Sequence, residues 1–187
     1  MVLAMGAFAI ADTLIKTAAG IISPAQVMFL LVAGGLIAFS LIGTMQGESL
    51  VDSRVFAPVL LTRYLAEVVG MVGMVMALTY VPLSTVGAIT QATPILVAVG
   101  AVLFLGERVS WRRWSSIAIG FVGVLLIVQP GAAGFDYAVL WAILAMLALS
   151  VRDLMTRIIP PDMASTTLSA YTMFAAVPFA TAWVLYT

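Results

Sequence analysis

Long apolar runs separated by short polar breaks set the pattern of this chain. Seven runs follow one another: Met1 to Ile22, Ala25 to Gly43, Val59 to Val81, Leu83 to Leu105, Ser110 to Val128, Tyr137 to Ile158 and Met163 to Tyr186. Each is close to the roughly 20 residues that a helix needs to cross about 30 Å of hydrocarbon. The pattern predicts an all-α fold, a polytopic transmembrane helix bundle with seven spans. The breaks carry helix punctuation. Ser23, Pro24 and Gln26 read as N-cap, first-turn proline and third-position glutamine, a capping box that starts the second helix just after the first ends. Val81-Pro82 parts the third helix from the fourth, Ser110 can cap the fifth, and Gln129-Pro130-Gly131 ends it. Ile159-Pro160-Pro161-Asp162 closes the sixth and opens the seventh.

Charge gives the bundle a direction. Arg54 and Arg63 lie in or just after the second gap, Arg108, Arg112 and Arg113 in the fourth, and Arg152 and Arg157 at the entry to the sixth. The first, third and fifth gaps hold no cation, and Lys16 sits within the first helix. By the positive-inside rule the even gaps are cytoplasmic, so the N-terminus is cytoplasmic and the seventh helix ends outside. Arg112 and Arg113 oppose the dipole at the start of their helix, and attraction to anionic lipid headgroups gives them a reason to be there.

Composition then removes whole classes of function. Hydrophobic residues make up 64% of the chain and charged ones 9%, with a mean hydropathy of +1.20; no soluble domain would carry such a surface. Cys and His are both absent, which excludes thiolate nucleophiles, disulfides, imidazole bases, haem ligation and the common zinc sites. No Asp-rich motif is present to hold magnesium on a diphosphate. We therefore expect no metal, no cofactor and no enzyme. The formal charge is zero, and nothing suggests a nucleic-acid partner.

An internal repeat emerges when the first helix is laid on the sixth with an offset of 141 residues. Asp12 then falls on Asp153, Lys16 on Arg157, and Ala4, Met5 and Ala7 on Ala145, Met146 and Ala148. Ser23-Pro24 comes opposite Ala164-Ser165. Five spans per repeat is an odd number, so the second copy would be inserted upside down, as in many secondary transporters. Residues 1–131 would be the first repeat and 137–187 the start of an incomplete second one. Three further helices would complete a bundle of ten.

A family resemblance lies in Ala77-Leu78-Thr79-Tyr80-Val81-Pro82-Leu83-Ser84, Gln91-Ala92-Thr93-Pro94-Ile95, Leu103-Phe104-Leu105-Gly106-Glu107-Arg108-Val109-Ser110 and Gly120-Phe121-Val122-Gly123-Val124-Leu125-Leu126. Together with Ala11-Asp12-Thr13-Leu14-Ile15-Lys16 and Arg152-Asp153-Leu154-Met155-Thr156-Arg157, these resemble bacterial members of the EamA family of the drug/metabolite transporter superfamily. The resemblance implies a ten-helix bacterial inner-membrane transporter with two inverted halves and a central cavity, often an exporter of small organic metabolites. It departs from the family in the missing last third.

Polar residues within the spans are the candidates for function. In the fourth helix Gly87, Gln91, Pro94, Ala98 and Ala101 recur at steps of four and three, on one small and polar face. Gln91 either bonds a neighbouring helix or lines a wet cavity. Pro94 frees the carbonyl of Thr90, which kinks the helix or offers a ligand for solute. In the third helix Ala66, Gly70, Gly73, Ala77 and Tyr80 form a second small stripe beside Glu67. A charge there costs about 2.5 to 3.5 kcal/mol unless paired or wet, and Arg63, one turn earlier, is the expected partner. A Glu67 turned towards the cavity would instead meet solute or a proton.

Asp12 with Lys16, and Asp153 with Arg157, are one turn apart, and each pair can neutralise itself; Arg152 is left to seek another acceptor. These five either gate the two mouths or anchor the helices at the interfaces. Glu107 sits in a turn and reads as capping and topology. Tyr171, about a third of the way into the seventh helix, can stack on an aromatic or cationic ligand. The expected substrate contacts are thus Gln91, Thr90, Pro94, Glu67 and Tyr171, and the expected gating residues Asp12, Lys16, Arg152, Asp153 and Arg157. The expected partners are a small organic solute and membrane lipid, with a homodimer left open. The rival readings are a non-transporting membrane module packed on a partner protein and an enzyme working through carboxylates alone.

Overall fold

The computed structural model describes residues 2–48, 53–107, 110–128, 136–159 and 163–187. All seven predicted runs are helical: α1 (Val2–Ala19), α2 (Pro24–Met45), α3 (Pro58–Tyr80), α4 (Leu83–Thr90) with α5 (Thr93–Leu105), α6 (Trp111–Val128), α7 (Val139–Thr156) and α8 (Ser165–Tyr186). A 3₁₀ turn, Ser53–Phe56, leads into α3. Five of the runs are long and apolar enough to cross a membrane, with Leu83–Leu105 counted as one; α1 and α6, of 18 residues each, fill the other two. The chain is a polytopic helical bundle, and no strand occurs among the described residues.

The predicted capping box is present. The Gln26 amide donates to Ser23 Oγ at 3.3 Å and the Ser23 amide to Gln26 Oε1 at 3.1 Å, so two orphan donors are satisfied where α2 starts. Helix α3 stops at Val81, which Pro82 holds in an extended conformation. The expected stop at Gln129-Pro130-Gly131, most of the Ile159-to-Asp162 break, and Arg108 lie outside the described residues.

The fourth run departs from its expectation. It is interrupted at Gln91 and Ala92, whose dihedrals stay near helical while the Ala92 amide bonds Ile89 in a tighter turn. Pro94 then occupies the first turn of α5, so its missing N–H falls where no helical donor is needed. The predicted small face is divided: its first half is not buried and its second half is. Val86 and Ile89 are buried in α4, Ala98 and Ala101 in α5, whereas Gln91 and Pro94 are exposed.

Packing centres on α3. It lies antiparallel to α7 over the largest interface, while α8 packs chiefly on α2, and α4 and α5 lean on α7. The small stripe of α3 is what lets α7 in. Ala66, Gly70, Gly73 and Ala77 are buried, and only Tyr80 at the stripe's end is exposed. A β-carbon added to Gly73 would stand 2.9 Å from the Ala145 amide nitrogen and 3.1 Å from the Trp141 carbonyl oxygen. The two backbones therefore touch, which only a residue without a side chain allows. Beyond this seam, Ala77, Leu78, Val81, Val86, Ile89, Ala142 and Met146 form an apolar cluster.

Candidate functional site

The start of α3, the ends of α5 and α7 and the start of α8 meet at one end of the bundle, here termed the arginine end. Four charged residues from α3 and α7 converge there. Glu67, 8% exposed, accepts from Arg152 Nη1 at 2.9 Å. The same guanidinium holds Asp153 Oδ1 at 2.8 Å through Nη2 and 2.9 Å through Nε. Arg152 therefore joins an acid of α3 to one of its own helix.

Arg63 does not take the partner expected of it. Its Nη1 donates to Thr172 Oγ1 of α8 at 2.7 Å and its Nε to Thr156 Oγ1 of α7 at 3.0 Å. Each hydroxyl passes its own proton back along its helix, Thr172 to the Leu168 carbonyl and Thr156 to that of Arg152. Only 9% exposed, Arg63 pins three helices together through neutral acceptors at the end of α7, where the helix dipole favours a cation. The physical reason for the exchange is position. Arg152 approaches Glu67 from across the interface, and the buried hydroxyls of α7 and α8 claim Arg63.

The other expected pairings also give way. The Arg157 guanidinium does not pair with the Asp153 carboxylate; its Nη1 reaches Glu107 Oε1 at 3.4 Å. Gly106, in the left-handed conformation at φ 67°, ends α5 and aims Glu107 towards α7. Lys16 does not bond Asp12. Its Nζ donates to the carbonyl oxygens of Leu78 at 2.9 Å and Val81 at 2.8 Å, acceptors left open because α3 stops before Pro82. The Asp12 carboxylate makes no hydrogen bond or ion pair among the described residues. Lys16 thus ties α1 to α3 at the end opposite the arginines.

The expected solute contacts are spread over two regions. Gln91, Thr90 and Pro94 sit at the α4–α5 break, on helices packed against α7 and α6, with the Thr90 hydroxyl donating to the Val86 carbonyl at 2.9 Å. Tyr171 is half-buried on α8 and lines a groove of about 380 Å³ with Leu36, Ser40, Phe56, Ala170 and Phe174. Its ring also packs on the cluster of Leu60, Tyr64 and Leu168. Glu67 belongs to the arginine end. Thr156 and Thr172 were not singled out from sequence, although a threonine inside an apolar span is a usable signal for an interhelical bond.

Residues 1–129 match the EamA-like transporter family. A riboflavin transporter of Rhizobium johnstonii is 36% identical over 97 residues, 52% of this chain and 32% of that protein. An S-adenosylmethionine uptake transporter of Rickettsia prowazekii is 30% identical over 110 residues, 59% of this chain and 37% of its own length. A pseudopaline exporter of Pseudomonas aeruginosa is 29% identical over 129 residues, 69% of this chain and 45% of its own length. The chain thus spans less than half the length of each of these relatives. No solved structure gives a significant match. These relatives are named as transporters rather than enzymes, and with most of its helices covered by the family match the chain belongs to the EamA-like transporter family.

Proposed function

We propose that this protein is a secondary transporter of the bacterial inner membrane that moves a small organic solute by alternating access. The observation that carries the reading is the polar network at the arginine end. A span that buries Glu67 and Arg63 among helices, with Arg152 bridging Glu67 to Asp153 and Arg63 bonded to Thr156 and Thr172, carries a cost that ordinary membrane anchoring does not require. In this reading that end is cytoplasmic and the N-terminus inside, which the positive-inside rule supports. Antiparallel packing of α2 on α8, with Gly35 against Met173 and Met28 clustered with Ala176 and Ala180, supports the proposed pair of inverted repeats, in which these are the second helices, and an in-plane two-fold of the kind that alternating access uses. Solute would be met by Gln91, Thr90 and Pro94 at the helix break and by Glu67 and Tyr171. Asp12, Lys16, Arg152, Asp153 and Arg157 would control the two mouths.

The relatives include both uptake and export carriers, so flux is best measured in both directions. Riboflavin and S-adenosylmethionine, with a panel of amino acids and nucleosides, are screened by thermal shift, and those that stabilise the protein are loaded into proteoliposomes. Saturable flux above that of empty vesicles is the expected result. No flux of any stabilising solute in either direction refutes the reading and leaves a non-transporting membrane module. Replacing Asp12 by Asn should lower flux without lowering membrane yield; unchanged flux removes Asp12 from the gate. A reporter fused at Arg112 that reads as extracellular overturns the orientation.

A further inference from the structure

Two kinds of contact divide the α3–α7 interface. Midway along it the backbones meet at Gly73 and Ala145, and Gly70 faces Leu149 and Ala148. Towards the arginine end the connection passes to side chains: Arg152 to Glu67, Arg63 to Thr156, and beyond them Arg157 to Glu107 on the turn after α5. A close backbone contact between small residues fixes two helices at a point and lets them rotate about it. The ion pairs further along hold the free end of the lever. The Arg157–Glu107 pair is long and nearly half-exposed, so it parts at little cost.

The same charges have a second way to pair. Arg63 and Glu67 lie four apart on α3, and Asp153 and Arg157 four apart on α7, the spacing at which opposite charges meet on one helix face. Arg152 already holds Asp153 on its own helix. If α7 swings away, Glu67 loses Arg152 and gains Arg63, which keeps its shorter bond to Thr172; Arg152 and Arg157 share Asp153. Neither arrangement leaves a carboxylate of α3 or α7 without a cation or a guanidinium there without a hydrogen-bond acceptor, and only Glu107, on a half-exposed turn, is released.

We propose that these residues form a two-position charge switch: pairing across helices holds α7 shut at the arginine end, and pairing within each helix opens it about the Gly70–Gly73 seam. The switch rests on the transport reading above and assigns Lys16 a different duty. By fastening α1 to the far end of α3, Lys16 keeps α3 still while α7 moves.

The variant E67R/R152E separates a switch from a mere brace. It preserves opposite charges across the interface but puts Arg63 beside an arginine and Asp153 beside a glutamate. The cross-interface pair of the shut position survives, the Arg152–Asp153 bond is lost in both positions, and the Arg63–Glu67 pairing that the open position needs is replaced by repulsion. The chain has no Cys, so spin labels placed at Leu61 and Ile158 through L61C/I158C report the α3–α7 separation directly. Both positions are exposed at the arginine end. In lipid nanodiscs the otherwise wild-type protein should give two distance populations, and E67R/R152E should shrink the longer one by about tenfold. The neutral variant E67Q/R152Q should enlarge it and serves if the reversal does not fold. A single distance that none of these changes moves overturns the switch, as does a charge reversal that behaves like wild type. Two populations without solute flux leave the switch standing and refute the transport reading; flux with one fixed distance does the reverse.

Discussion

Replacing Gly73 by alanine tests the packing on which the bundle depends. The added methyl would sit 2.9 Å from the Ala145 nitrogen, 3.1 Å from the Trp141 oxygen and 3.2 Å from the Ala145 α-carbon. Comfortable contact begins near 3.5 Å, and all three obstacles are backbone, so the helices must part by about half an ångström along their largest interface. Overpacking of this kind costs about 1–3 kcal/mol. The substitution also gains up to about 1 kcal/mol of helix propensity, so comparison with wild type alone understates the clash. Gly34→Ala supplies the reference, because nothing lies within 4 Å of a β-carbon there. Gly70→Ala should fall between the two, since its nearest obstacle, Leu149 Cδ2 at 2.9 Å, ends a side chain that can rotate. Unfolding by SDS in mixed micelles, followed by tryptophan fluorescence, should place G73A about 1–3 kcal/mol below G34A. Equality of the two within about 0.5 kcal/mol would show that α3 and α7 do not touch at this seam.

Other substitutions test single contacts in the same assay. Lys16→Met uncaps the end of α3 and should cost about 2 kcal/mol, the scale of hydrogen bonds from a charged donor; Asp12→Asn, with no described partner to lose, should stay within about 0.5 kcal/mol of wild type. Thr172→Val removes the acceptor of a buried guanidinium N–H and should destabilise by about 1–3 kcal/mol, while Thr172→Ser, which keeps the hydroxyl, should recover most of that. Gly106→Ala forces a side chain into the left-handed region and should cost about 1–2 kcal/mol, with weaker coupling between Glu107 and Arg157 in a double-mutant cycle.

Span positions were legible because they depend on local quantities. Apolar length located each helical run, though not the break that divides the fourth into α4 and α5, and Ser23, Pro24 and Gln26 fixed the start of α2 through bonds made within four residues. The small stripe Ala66, Gly70, Gly73 and Ala77 announced a close helical neighbour. It did not say which one, because any helix with its own small face would fit, and Ala145 and Ala148 of α7 are far off in sequence. The break before Pro94 was half visible. Proline explains the lost Thr90 bond, but which side chains are buried on either side of the break depends on α7 and α6, against which both α4 and α5 pack and which lie elsewhere in the sequence.

Charge pairing was the part that spacing could not decide, and the reason is physical. Along one chain the visible options are those four residues apart, so Arg63 with Glu67, Asp12 with Lys16, and Asp153 with Arg157 were the natural choices. Such pairs gain only a few tenths of a kcal/mol, about 0.2–0.5, in an isolated helix. A carbonyl at an open helix end, a buried hydroxyl or an acid on a neighbouring helix outbids that in a low dielectric, where leaving any of them unsatisfied costs far more. Lys16 accordingly goes to Leu78 and Val81, Arg63 to Thr156 and Thr172, and Arg152 to Glu67. The weak intrahelical options are not erased by this choice. They remain as the nearest alternative whenever the helices separate, which is why a bundle with so few charges can hold one arrangement and fall back on another without stranding an ion in α3 or α7.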